Sequence, residues 1–475
     1  MSDFFKKNVL FISRKSASRT FFLLGIIYLA LLPVSARLNA AETPGAWKVV
    51  KREDIAKVWS GNPVGFDFVQ HGDFLFIAFY DASDKKMVLG QKSLTSSEAA
   101  WSFKKLPTAI GWDSHNNIKL AFDSENVLHV SGNMHAVPLI YFRASKPLDI
   151  HSVEGIHRMI SDDTTKEALL KGRENRCTYP HFLKNAAGEL IFTYRDGGSG
   201  NGSQIWNIYD TKTKAWRRFL DVPMFDGEGE CNAYYQGPKM GPDGWYHVAW
   251  VWRDTPDCAT NHDLSYMRSK DLLHWEQSDG TPQILPVTRS NSEVIAPLKN
   301  GQGLLNPHVR IGFDAEKRLV ITYTRYDENK NNQLMQARLE KDGWKYYQTT
   351  DWTHSWVFSG GGCIPTELSF GEVQAVDGRI QQYWNRKHEK SGMFILDPVS
   401  LKPLERAPAP PALPGECLKC ENPQENQRLK RASLVDVNDS DRMFLFAWET
   451  LPVNRDRPHP VVPEPSTLRM FILER

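Results

Sequence analysis

FVQHGDFLFIAFYDAS, residues 68–83, sets an apolar run either side of a short polar turn at Gly72, the signature of an antiparallel hairpin. The phrase returns six times along the chain. The later copies are AFDSENVLHVSGNMH (121–135), FLKNAAGELIFTYRD (182–196), KMGPDGWYHVAWVWRD (239–254), IGFDAEKRLVITYTRYD (311–327), VQAVDGRIQQYWNRK (373–387) and LVDVNDSDRMFLFAWE (434–449), with turns near Glu125, Gly188, Gly244, Glu316, Gly378 and Ser440. A spacing of about 55 to 75 residues leaves room for four strands per unit and is too long for helical solenoid repeats. The expected fold is all-β: a seven-bladed β-propeller in which each blade buries its faces against its neighbours. It forms a single domain over residues 42–475. Within the units, YDTKTKAWRRF (209–219), YMRSKDLLHWEQ (266–277) and ARLEKDGWKYYQ (337–348) place a polar hairpin before a tryptophan and read as outer strands. Residues 405–427, with five prolines, read as a loop between the last two blades.

The N-terminus belongs to targeting. Lys6, Lys7, Arg14, Lys15 and Arg19 precede an apolar stretch from Phe21 to Leu32 and a small-residue tail from Pro33 to Ala41. This predicts a signal peptide over residues 1–40, cleaved between 36 and 41. The apolar stretch is shorter than the roughly 18 to 20 residues that span a bilayer. The mature chain is therefore expected to be secreted or periplasmic, free of the membrane and monomeric. A net charge of +2 gives no reason to expect a nucleic-acid partner.

In a propeller the strand ends converge on a central depression, so unusual polar residues there are candidates for ligand contact. His115, Asn116 and Asn117 precede one strand, and Asn133, Met134 and His135 follow the next. Arg176 to Pro180 and then Tyr194, Arg195 and Asp196 occupy matching places in the third unit. The order and spacing of DSHNN, SGNMH, CTYPHF and FTYRDGG resemble the propeller-type ulvan lyases of polysaccharide lyase family 25, within a wider group of BNR-repeat proteins. The resemblance implies that His115, His135, Tyr179 and Arg195 are the catalytic set and that the partner is an acidic, sulfated algal polysaccharide. Asn116, Asn133 and Arg310 are the accompanying candidates for substrate binding; Arg310 also has a plainer reading as a structural arginine. Asn261, His262 and Asp263 lie in a phrase similar to the TNHD of the wider group.

Elimination at a uronic acid needs three things: a cation or donor for the carboxylate, a base for the proton beside it, and an acid for the departing glycosidic oxygen. The planar fork of Arg195 suits the first. Tyr179 suits proton transfer if nearby positive charge lowers its pKa from about 10. Two assignments stand: Tyr179 as base and acid, or a histidine base with Tyr179 as acid. No cofactor is required by this chemistry. Six cysteines permit disulfides in an exported protein. Cys258 and His262, at C-x3-H spacing, are the candidate ligands of a structural zinc ion, with Cys231 or Cys363 to complete the set. No G-x-S-x-G elbow, P-loop or H-E-x-x-H is present. The alternatives are a propeller glycoside hydrolase working through two carboxylates among Asp196, Asp254, Asp263 and Glu367, and a noncatalytic propeller that binds acidic glycans.

Overall fold

A computed structural model describes residues 46–475, apart from 97, 157–158, 161–172, 390, 409–412 and 422–425. The expected signal peptide lies outside the described residues, as do Pro410, Pro411 and Pro423 of the proline-rich loop. The described residues form strands and four short 3-10 turns, with no α-helix among them. The strands make seven antiparallel sheets.

Each repeated phrase supplies the first two strands of a sheet. Phe182 to Asp196, for example, contributes to Cys177–Lys184 and Leu190–Gly198, which pair in register Leu183 to Ile191. The turns share a physical device. Asp123 accepts the amides of Glu125 and Val127, Asn185 those of Ala187 and Glu189, and Asp314 those of Glu316 and Arg318. A side-chain oxygen thus replaces the turn's missing backbone acceptors. The chain reverses through a left-handed residue such as Asn126, Gly188 or Lys317.

The second strands are buried almost throughout, as in Phe74–Tyr80, Tyr246–Arg253 and Leu319–Tyr326. Continuous burial follows from apolar side chains on both faces, each covered by a neighbouring sheet. The first strands alternate instead, as in Ile118–Phe122. The tryptophan hairpins fall on third and fourth strands, for instance Asn201–Asp210 with Ala215–Arg218.

The apolar cores lie between successive sheets. One joins Ile191, Trp206 and Phe225 of the third sheet to Val248, Trp250 and Met267 of the fourth; another joins Tyr266 to Ile311, Ile321 and Tyr323. The first and last sheets are packed in the same way. Phe68 stacks on Phe446 at 4.0 Å and Phe66 on Trp448 at 4.7 Å between ring centroids. The first strand, Lys48–Val58, belongs to the last sheet, where it pairs with Ser466–Glu474. The two ends of the described chain are therefore held together by main-chain hydrogen bonds as well as by aromatic packing.

Candidate active site

The loops and strand ends of the second and third sheets gather His115, His135, Tyr179 and Arg195 at one place. After Leu128–Gly132 the chain turns through left-handed Asn133 and Ala136 and crosses to the next sheet. There the short strand His135–Val137 pairs with Cys177–Lys184, setting His135 opposite Thr178. On its other side Thr178 faces Arg195. The register then slips between Thr178 and His181, so Tyr179 and Pro180 bulge out, with Tyr179 at φ +57°. A bulge re-aims a side chain, and a left-handed tyrosine is a costly conformation kept only where its surroundings dictate it. Here it turns the phenol toward His115 and over Arg195.

The rings of His115 and His135 lie 4.1 Å apart, and the Tyr179 ring lies 5.8 Å from that of His115. The Arg195 guanidinium sits 5.0 Å from the centre of the Tyr179 ring. Asp113 holds both imidazoles. One of its oxygens accepts from His115 Nδ1 at 2.8 Å and the other from His135 Nδ1. That arrangement leaves His135 Nε2 pointing away from the carboxylate. Asp456 approaches His115 at 3.3 Å, and the Cys363 sulfur lies 3.6 Å from His115 Nε2.

Charge is distributed unevenly across these groups. Burial opposes a charged His115, but hydrogen bonds to Asp113 and Asp456 outweigh it and hold the imidazole well above its usual range. Asp113 and Asp456 are held below the usual carboxylate range, their burial overcome by the same histidines. Burial pushes the Tyr179 phenol up to about 12, Tyr234 adds to it, and His115 and Arg195 pull only part of the way back. Tyr234 behaves oppositely. Burial would raise it, yet Arg195 and Arg253 on its ring bring it below its ordinary value. Its hydroxyl accepts from Arg195 at 3.3 Å and lies 2.8 Å from Ser199.

A cavity of about 640 Å³ opens over His115, His135, Tyr179, Tyr234 and Arg253. A second, of about 480 Å³, shares His115, Tyr179 and Tyr234 and extends to Arg195, Lys119 and His181. His181 is pushed down to about 4 by burial and by Lys119, so it stays neutral.

The other sequence candidates stand apart from this cluster. Asn116 lies beneath the cavity, where its carbonyl accepts from the buried Tyr80 hydroxyl; its neighbour Asn117 lines the smaller cavity. Asn133 donates to Thr108 and Ala109, fixing its own turn. Arg310 corrects toward its plainer reading: its guanidinium donates to the carbonyls of Phe370, Pro307 and Val309 and lines neither cavity. Cys258, one of the two expected metal ligands, lines the large cavity. His262 has both nitrogens committed to Asp254 and Asp263, each at 2.9 Å, and neither it nor Cys258 belongs to a group of three potential ligands among the described residues. The groups that do assemble are Asp113, His115 and His135, and His115, Cys363 and Asp456. Imidazole, thiol and carboxylate at such spacing are a zinc-compatible donor set. Asp113, Tyr234, Arg253 and Asp456 were not singled out in the sequence, and Cys363 was named only as a possible further zinc ligand beside Cys258 and His262. Only Asp113, two residues before His115, carried a local signal.

Residues 74–352 match the pattern of the BNR repeat-containing family member. The chain belongs to that BNR repeat family. The chain is similar to the short isoform of ulvan lyase from Alteromonas sp. (strain LOR), 28% identical over 227 residues, which is 42% of either chain. This BNR repeat protein thus matches less than half the length of that curated relative. Two solved structures share its fold. The polysaccharide lyase Uly1 superposes with a TM-score of 0.58 at 13% identity, covering 90% of this chain and 99% of the other. The PL25 ulvan lyase bound to -[GlcA(1-4)Rha3S]- superposes with a TM-score of 0.54 at 12% identity, covering 89% and 96%.

Proposed function

We propose that the protein is a polysaccharide lyase that cleaves an acidic, sulfated algal polysaccharide of the ulvan type by β-elimination, acting as an exported, monomeric, closed seven-bladed propeller. One observation carries the reading: among the described residues the large cavity is lined by imidazoles, phenols and cations and by no Asp or Glu. Such a cavity favours a polyanionic sugar. It also lacks the carboxylate pair of a glycoside hydrolase. The carboxylates that might have served are engaged elsewhere: Asp196 with Arg173, Asp254 and Asp263 with His262, and Glu367 with Lys387. The ulvan lyase relative and the ligand-bound lyase of the same fold support the substrate class.

Of the two proton-transfer schemes, the geometry favours a histidine base. His135, tied to Asp113 through Nδ1, presents Nε2 to the cavity and takes the proton from the carbon beside the uronate carboxylate. The electron pair forms the new carbon–carbon double bond as the glycosidic C–O bond breaks. Tyr179, kept protonated by burial, donates to the departing oxygen. His115, charged between two aspartates, faces the carboxylate, and Arg195 beneath the phenols adds positive potential where negative charge develops. The scheme needs no metal. A zinc ion held by His115, Cys363 and Asp456 would require the neutral imidazole and would itself supply the positive charge beside the carboxylate.

The test is incubation with ulvan and a panel of uronate polymers, followed by the ultraviolet absorbance of unsaturated uronate ends. Absorbance on ulvan is the expected result. New reducing ends without that absorbance would assign hydrolysis, and binding without cleavage would assign a lectin.

A further inference from the structure

The strand Arg428–Asp436 opens the last sheet, and its first residues form a wall of the large cavity apart from the histidine and tyrosine cluster. Lys430 on that wall is unusual. Its side chain is largely enclosed, and burial holds its ammonium below the usual lysine range with no opposing influence. Among the described residues its ammonium has no ion pair and no hydrogen bond, and the guanidinium of Arg428 has none either, although both residues pair through their backbones with Trp448 and Thr450. Lys92 shows how this protein treats a buried lysine elsewhere: its ammonium meets both oxygens of Glu53 at 2.9 Å. Removing a cation from water without a partner is costly. A protein keeps such a group where a ligand supplies the counter-charge.

We propose that Lys430 and Arg428 form a second anion subsite of the cavity, which binds a charged substituent on a sugar flanking the cleaved linkage. The substituent is a sulfate ester or the carboxylate of a further uronate; both offer anionic oxygens to an ammonium and a guanidinium. No Asp or Glu stands among the described lining residues of this cavity. The subsite rests on the reading of this cavity as the place of uronate elimination, and extends it from one sugar to its neighbour. In this arrangement the polymer is held at two charged points, one on the reacting ring and one beside it.

The experiment measures binding of an ulvan tetrasaccharide, and of its chemically desulfated counterpart, by calorimetry. It uses the full chain carrying Tyr179→Phe so that the sugar is not consumed, with and without Lys430→Met. Lys430→Gln serves as a second variant, and the melting temperature of each is checked first. Loss of about tenfold to a hundredfold in affinity for the sulfated sugar alone identifies the sulfate ester. An equal loss for both sugars identifies the carboxylate. Unchanged affinity for both sugars in a folded Lys430 variant overturns the subsite, as does failure of the parent to bind either sugar. The elimination reading fails separately, when the protein with Tyr179 intact yields no unsaturated ends from any uronate polymer.

Discussion

A phenol and an imidazole a few ångströms apart are pulled in opposite directions by their surroundings. The Tyr179 hydroxyl is held as a proton donor by burial, while His115 is held as a cation by two carboxylates. Tyr179→Phe is expected to slow formation of unsaturated ends by about a hundredfold or more, the scale of a lost general acid. Tyr234→Phe, which leaves Tyr179 in place, should cost tenfold or less. The reverse ranking, with Tyr234→Phe the costlier, would move the proton to Tyr234. The ion network also sets a pH dependence of stability. The depressed Asp113 and Asp456 contribute fully above their unfolded value of about 3.9 and lose that contribution as pH falls, while the raised His115 contributes fully below about 6.5 and loses its share as pH rises toward its folded value. The gap in melting temperature between the parent and His115→Ala should therefore be widest between about pH 4 and 6.5 and narrow on both sides. At this scale the sequence carried His115, His135, Tyr179 and Arg195, because their spacing resembled a known pattern. It did not carry Asp456, nor place Cys363, offered only as a possible zinc ligand, beside His115; both meet that histidine from hundreds of residues away. Arg310 misled because a guanidinium in the right phrase can spend its donors on main-chain carbonyls.

The strands and turns were the most legible part of the chain. Asp123, Asn185 and Asp314 each head a turn in the same way, so one local device recurs and the eye finds it. What the repeats do not encode is how close two sheets come. At Gly312 an added Cβ would lie 2.2 Å from the carbonyl oxygen of Val373, the same oxygen that accepts the amide of Phe313. Gly312→Ala should cost about 1 to 3 kcal/mol through forced separation of the fifth and sixth sheets. Gly111→Ala meets nothing within 4 Å and should change stability by less than about 0.5 kcal/mol. Denaturant titration of the pair reads the difference. The histidines His129 and His247 teach a related lesson. Each bridges a turn aspartate and a buried tyrosine, Asp123 and Tyr141 in one case and Asp243 and Tyr266 in the other. An Asp–His–Tyr constellation is here a repeated packing element, with both imidazoles lowered by burial.

At the scale of the whole molecule, each of the seven phrases contributes strands to a sheet among the described residues, but no local pattern announced that Lys48–Val58 pairs with Ser466–Glu474. That partnership joins segments more than four hundred residues apart, and Lys48–Val58 alone reads as an ordinary alternating strand. A variant lacking residues 46–58 leaves Ser466–Glu474 with an open edge, the kind of surface that recruits other chains. It is expected to lose its cooperative melt and to sediment as aggregate, whereas full-length protein melts as a single species. Synthesis runs from the N-terminus, so Lys48–Val58 must wait, single and unsatisfied, until Ser466–Glu474 emerges. A translation product cut short before Ser466 therefore displays Lys48–Val58 as an orphaned ribbon, open to any chain that can lend it a neighbour.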